Sequence, residues 1–544
     1  MYDLVIRNAR IVDGSGALMR NGDVAINGER IAEVGTGITK GKREINADGL
    51  LLAPGWVDIH THYDGQATWD PYLTPSSWHG VTTAVMGNCG VGFAPADPAR
   101  RDWLIGLMEG VEDIPGTALA EGIDWEWETF PEYLDALDRR TYALDIAAQV
   151  PHGSVRAYVM GERGATDAAA NEDERRAMAN IVGDAVRAGA VGFSTSRTIL
   201  HRAIDGEVVP GTDADAIELL TIAAGMRCPV TYACVQNDTD PAQWKRLIDY
   251  AAARGPGMYP QVAIRPPGML MCLEGAHPFL ARPSYKALAH LPPAARAAEM
   301  RKPEVRERIL GEATGKSARL LRLLFIEGKE MRSSISDYDR IYWLGDPPDY
   351  EPAPERSMAA IGRAKACSAE AAAYDCLLER DGKAFLYTPL FNYHAGNYDV
   401  AREMMLHPNT ILGISDGGAH CGVICDASAP TYLLSHFVRD RERGPRVPLE
   451  LAIKMQTRDT AELYGFDDRG LIAPGMRADI NLIDFDELAL PVPEMVYDLP
   501  ASGQRLVQRA SGYYATIMKG AVTFEQGEAT GALPGRLVRG AQRA

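Results

Sequence analysis

The chain has 544 residues, of which 46% are hydrophobic and 24% charged, and its formal net charge is −17. This is the composition of a folded globular protein with a large core, which excludes a disordered chain. The acidic balance also argues against nucleic acid as a partner, because phosphates need a basic footprint.

The opening MYDLVIRNARIVDG alternates polar and apolar residues and carries charges, unlike a secretory leader. No run of about 18 apolar residues occurs, so no membrane partner is expected. Eight scattered cysteines form no CxxC pair. In a chain this long that pattern predicts a cytoplasmic protein without a disulfide framework.

In chain order, DLVIRNARIVDG and GDVAINGERIAEVG read as strands separated by Asn-Gly turns. The same texture returns in LIAPGMRADINLIDF and YYATIMKGAVTFEQGEATG near the other end. Residues 1–54 and 469–544 are therefore expected to build one small β domain from both termini. Between them, an apolar strand, a polar loop and a helix recur. The strand candidates are 55–62, 81–90, 144–153, 189–197, 229–237, 258–266, 384–393 and 410–420. Helical patterns such as 172–189 and 213–226 separate them. Continuous apolar strands alternating with helices predict a parallel sheet buried on both faces. The expected fold is thus α/β, with a (β/α)8 TIM-like barrel over 55–468 and a small β-sandwich domain. A long helical insert, about 267–383, joins the sixth and seventh strand candidates. Its two ends lie on the mouth, so it reads either as a lid lined by Met269, Leu270, Met271, Phe279, Leu323 and Leu324, or as a unit with its own core.

Catalytic groups of such a barrel gather where the strands end. The first strand candidate ends in His60-Thr61-His62, followed by Asp64. Residues at i and i+2 of a strand point the same way, so both imidazoles can converge on one ion. Neutral imidazole suits zinc and its neighbours. The eighth ends in Ser415-Asp416-Gly417, where Asp416 is either a helix N-cap or a metal ligand that takes a proton from water. The second ends in Gly87-Asn88-Cys89-Gly90, where Cys89 is either a small buried side chain or a thiolate ligand. Around the mouth lie His152, His201, Tyr393, His394 and His420, with Arg197 and Arg265 able to fork onto a carboxylate. Each of these is a substrate-binding candidate, and each could equally serve a local hydrogen bond or ion pair.

The segments HTHYD, HGVTTAVMGNCGVGFAP, GAVGFSTS, SDGG and RGLIAPGMRADINLIDFD together resemble the amidohydrolase superfamily and, within it, the N-acyl-D-amino-acid deacylase (D-aminoacylase) group. The resemblance spans most of the chain. It implies zinc dependence and hydrolysis of the amide of an N-acyl-D-amino acid. It also implies His60 and His62 as ligands, Cys89 as a thiolate ligand and Asp416 as general acid and base. The family places further histidine ligands at the ends of strands five and six, where this chain reads YACVQN and QVAIR. What remains fits one zinc ion per chain. Hydrolysis of a cyclic amide or another carbonyl compound is a second reading. A third is a binding homologue without catalysis, against which the retention of His60, His62 and Asp416 weighs. The expected partner is a small-molecule substrate, and the sequence is compatible with a homo-oligomer.

Overall fold

The computed structural model describes residues 1–166, 168–196, 208–212, 214–224, 226, 228–253, 257–312 and 337–540. Its central sheet has seven strands, β1 (Trp56–Asp58), β2 (Val81–Met86), β3 (Asp145–Pro151), β4 (Gly192–Ser194), β5 (Val230–Ala233), β6 (Met258–Ala263) and β7 (Ile411–Gly413). Neighbours in this series pair in parallel. Every residue of β2 and β3 is buried, which is why these strands read as unbroken apolar runs. Beyond β7 the chain turns back onto the end of β1, where Thr61 and Gly417 form a parallel bridge. The sheet thereby closes into the expected TIM-type barrel.

The helix Glu172–Ala188 shows how the connections are written. Asn171 and Glu174 form a capping box, Gly189 ends the helix at φ 119°, and Met178, Val182 and Ala185 supply the buried stripe.

One strand candidate has other partners. Within 384–393 the strand Leu386–Pro389 lies outside the barrel sheet and pairs antiparallel with Gly268–Met271 and Tyr342–Trp343. An apolar run of this length reveals burial but not which sheet buries it.

Both termini enter one nine-stranded sheet. Leu51–Pro54 pairs there with Ile480–Ile483, and Ile6, Val24, Leu52, Ile480 and Ile517 share its core. In the insert, Met269, Met271 and Phe279 pack with Tyr285, Tyr374 and Leu377 in a separate core, while Leu270 joins the main core. These side chains are occupied by packing, as expected of a unit with its own core. Leu323 and Leu324 lie outside the described residues. Among the described residues no helix is long and apolar enough to cross a membrane.

Candidate metal centre

The loop after β7 and the turn after β2 assemble the site against the end of β1. The His62 N–H donates to the Gly417 carbonyl at 2.7 Å, and the Asp416 N–H donates to the His60 carbonyl at 3.1 Å. Ser415 Oγ donates to Asp58 Oδ2 at 2.6 Å and lies 2.8 Å from the His60 carbonyl. These bonds fix the loop after β7 against the end of β1. The turn after β2 is held in the same way, with Asn88 Nδ2 donating to the Thr61 and Val85 carbonyls at 3.1 and 2.9 Å.

The backbone is bent to achieve this. Cys89, Asp416 and His420 have φ of 54°, 50° and 53°, all left-handed and unfavourable for side chains with a Cβ. Such strain persists where surrounding structure over-determines it, typically at functional sites. Gly87 is required for a different reason, since a Cβ there would lie 2.3 Å from the Gln149 carbonyl oxygen.

His60 Nε2 lies 3.3 Å from Cys89 Sγ and 3.1 Å from Asp416 Oδ1. His62 Nε2 lies 3.7 Å from the same carboxylate oxygen. One donor atom from each of His60, His62 and Cys89 fits within a 4.8 Å cluster. Donors bound to zinc at about 2.0–2.3 Å in a tetrahedron stand about 3.4 Å apart, so these spacings suit a metal shell. All four side chains are buried.

The charge balance points the same way. Burial lowers His62 to about 4, so its imidazole is neutral at neutral pH, as a ligand must be. Burial pushes Asp416 up, but His60 and His62 outweigh it and hold the carboxyl well below the usual range. Burial, then Glu112 and Asp416, push the Cys89 thiol well above its ordinary range. A thiolate amid these carboxylates needs a cation beside it.

Glu112 escaped the sequence reading. It ends the helix Arg101–Glu112 and is fully buried. Its Oε1 lies 3.4 Å from His62 Nδ1 and its Oε2 3.4 Å from His420 Nε2. The signal was present, because Leu104, Leu107, Met108 and Val111 form the buried stripe of that helix and Glu112 continues it. A carboxylate on an apolar stripe is out of place unless it serves a site. Gln261 on β6 was also missed as a participant, and its Oε1 meets His60 Nδ1.

Among the substrate-binding candidates, His420 joins this cluster, with its Nε2 4.0 Å from Asp416 Oδ2. His152 is buried between Thr195 Oγ1 at 3.0 Å and Glu218 Oε1 at 2.8 Å. Arg265 pairs with Asp426 at 2.7 Å and lies 3.7 Å over the Tyr350 ring, with its Nη1 buried and unpartnered. Tyr393 donates to the Pro352 carbonyl at 2.7 Å, and the half-exposed His394 faces Asp238 at 3.3 Å. Arg197 and His201 lie outside the described residues.

The amidohydrolase family model matches residues 43–254 and 352–524. The chain belongs to this family. It is similar to a D-aminoacylase of Alcaligenes xylosoxydans xylosoxydans, 26% identical over 543 residues, covering 99% of this chain and 97% of that protein. An N-acyl-D-glutamate deacylase of the same organism is 28% identical over 552 residues, covering 99% and 96%. Among solved structures, the N-acyl-D-glutamate deacylase of Bordetella bronchiseptica, complexed with zinc and a phosphonate inhibitor, matches with a TM-score of 0.61 at 23% identity, covering 99% of each chain. This amidohydrolase is accordingly a metal-dependent hydrolase.

Proposed function

We propose that this amidohydrolase removes the acyl group from an N-acyl-amino acid of D configuration, using one zinc ion held by His60, His62, Cys89 and Asp416. The observation that carries the reading is the spacing of those donors around His60 Nε2, 3.3 Å to Cys89 Sγ and 3.1 Å to Asp416 Oδ1. The full-length likeness to D-aminoacylase and N-acyl-D-glutamate deacylase supports the substrate class. When bound, the cation supplies Lewis acidity to the scissile carbonyl and to the attacking water. Asp416 accepts the proton that water loses and returns it to the leaving amine nitrogen, so amide and water become carboxylate and amine. His420 stands beside Asp416, its Nε2 4.0 Å from Oδ2, as part of the same site. Burial of His60, His62 and Cys89 keeps bulk water from competing at the reacting carbonyl.

The test combines elemental analysis with a panel of N-acetyl-D- and N-acetyl-L-amino acids, read by release of free amine. About one zinc per chain and turnover confined to D substrates is the expected result. Zinc-loaded protein that opens cyclic amides but releases no amine from the panel would overturn the substrate class. Two zinc equivalents retained after dialysis would overturn the ligand set.

A further inference from the structure

Each imidazole of the centre has a second nitrogen, and what faces it decides which nitrogen is free to bind a cation. For His60 the arrangement is explicit. Gln261 Nε2 donates to the Ile59 carbonyl at 3.2 Å, which turns its amide oxygen toward His60 Nδ1. An amide oxygen only accepts, so Nδ1 carries the hydrogen and Nε2 faces Cys89 and Asp416 with its lone pair.

His62 has a different backing. Its Nε2 faces Asp416, and its Nδ1 faces Glu112 Oε1 at 3.4 Å. Neither nitrogen of His62 and neither carboxylate oxygen of Glu112 has a conventional hydrogen-bond partner, although all four atoms are buried. Buried polar groups this close and unsatisfied are costly unless they serve one another. The other oxygen of Glu112 faces His420 Nε2 at 3.4 Å, and its backbone carbonyl accepts the His420 N–H. The Asp113 carboxylate accepts the Gly422 N–H at 2.8 Å, which ties the helix end to the same loop. The helix Arg101–Glu112 thus delivers one carboxylate to two imidazoles, one behind Asp416 and one beside it.

We propose that Glu112 is a positioning residue of the metal centre, accepting His62 Nδ1–H so that Nε2 is presented to the cation, and holding His420 beside Asp416 with its other oxygen. The proposal rests on the metal-hydrolase reading above. A carboxylate behind a ligating imidazole fixes the tautomer and raises the basicity of the ligating nitrogen. That matters here because strands five and six contribute no histidine, leaving His60 and His62 as the imidazoles grouped with Cys89 among the described residues.

The experiment measures Zn2+ affinity of the full chain by competition with a chromophoric chelator, for wild type, Glu112→Gln and Glu112→Ala, together with the visible spectrum of each protein loaded with Co2+. Outer groups of this kind typically contribute about 10–100-fold in metal affinity. Glu112→Ala is expected to lose about that much. Glu112→Gln, whose amide oxygen still accepts from Nδ1 but carries no charge, is expected to lose about tenfold, the lower end of that range. At saturation the Co2+ spectra should match wild type, because no ligand has been removed. Circular dichroism establishes folding, and if the alanine variant does not fold, the near-isosteric glutamine variant decides. Wild-type affinity in a folded variant overturns the inference and leaves the metal-hydrolase reading standing. A changed Co2+ spectrum in Glu112→Gln also overturns it, by making Glu112 a direct ligand. Wild-type protein that binds no Zn2+ overturns both.

Discussion

The Asp145 carboxylate, at the start of β3, lies 2.5 Å from Arg477 Nη1. Arg469 Nη1 at 3.1 Å and Lys519 Nζ at 3.2 Å converge on it too. Residues 477 and 519 flank strands of the terminal sheet, so this buried carboxylate joins that sheet to the barrel. Burial works against its charge, but Arg477 and Arg469 outweigh it and hold the group below the usual carboxylate range.

Removing one partner from a buried ion cluster leaves the rest uncompensated, at about 3–5 kcal/mol. Asp145→Ala should therefore destabilise the protein by that amount in urea titrations, while zinc affinity and kcat/KM at 20 °C (well below unfolding) stay near wild type. An unchanged urea midpoint would show that the cluster contributes nothing net.

Asp416→Asn keeps the shape of the side chain but cannot take up a proton. The variant should fold, as read by circular dichroism, and kcat should fall by about 10²–10⁴-fold, the usual contribution of a positioned proton carrier. Because Asp416 is also a candidate ligand, zinc content has to be measured on the same sample. A zinc-loaded variant with wild-type kcat removes Asp416 from the proton transfers.

How far the sequence reached depended on the range of the interaction concerned. His60 and His62 are two apart on one strand end, and their convergence is a local consequence of strand geometry. Cys89 and Asp416 follow once a barrel is assumed, since the strand ends share one rim. Glu112 belongs to no strand, and only the tertiary course of its helix brings it to His62. The same limit applies to Arg265 and His152. Their side chains meet Asp426, 161 residues away, and Glu218, 66 residues away. Residue type alone does not reveal such distant partners, and Arg265 Nη1 stays buried without one. The run 384–393 failed likewise, because periodicity reports burial and not the identity of the neighbouring strand.

Cys89→Ser separates the two meanings of a buried cysteine. A hydroxyl is a far weaker zinc ligand than a thiolate, yet close to it in size. The expected outcome is a loss of about tenfold or more in Zn2+ affinity, beyond the scale of an outer-group deletion. The apo protein should melt within about 2 °C of wild type, since little packing is lost. A larger drop in melting temperature with undiminished zinc retention would return Cys89 to the core.

Glu351 provides a pH-dependent test of a buried ion pair. It receives Arg441 Nη2 at 2.9 Å, His436 Nε2 at 2.8 Å and the Tyr398 N–H at 2.7 Å. Burial pushes this carboxyl up, but His436 and Arg441 outweigh it and bring it down to about 2. A carboxyl lower in the folded than in the unfolded chain stabilises the fold fully above the unfolded value of about 4.3. That contribution is lost as the pH falls from there toward 2. Glu351→Gln should therefore be less stable than wild type at pH 7, by about 3–5 kcal/mol for a broken buried pair. The gap should narrow steadily below about pH 4.3 as protonation neutralises the wild-type side chain too. Urea midpoints of both proteins across this range decide it. Curves that run parallel from pH 6 down to pH 2 would mean that Glu351 holds no charge-dependent share of the stability.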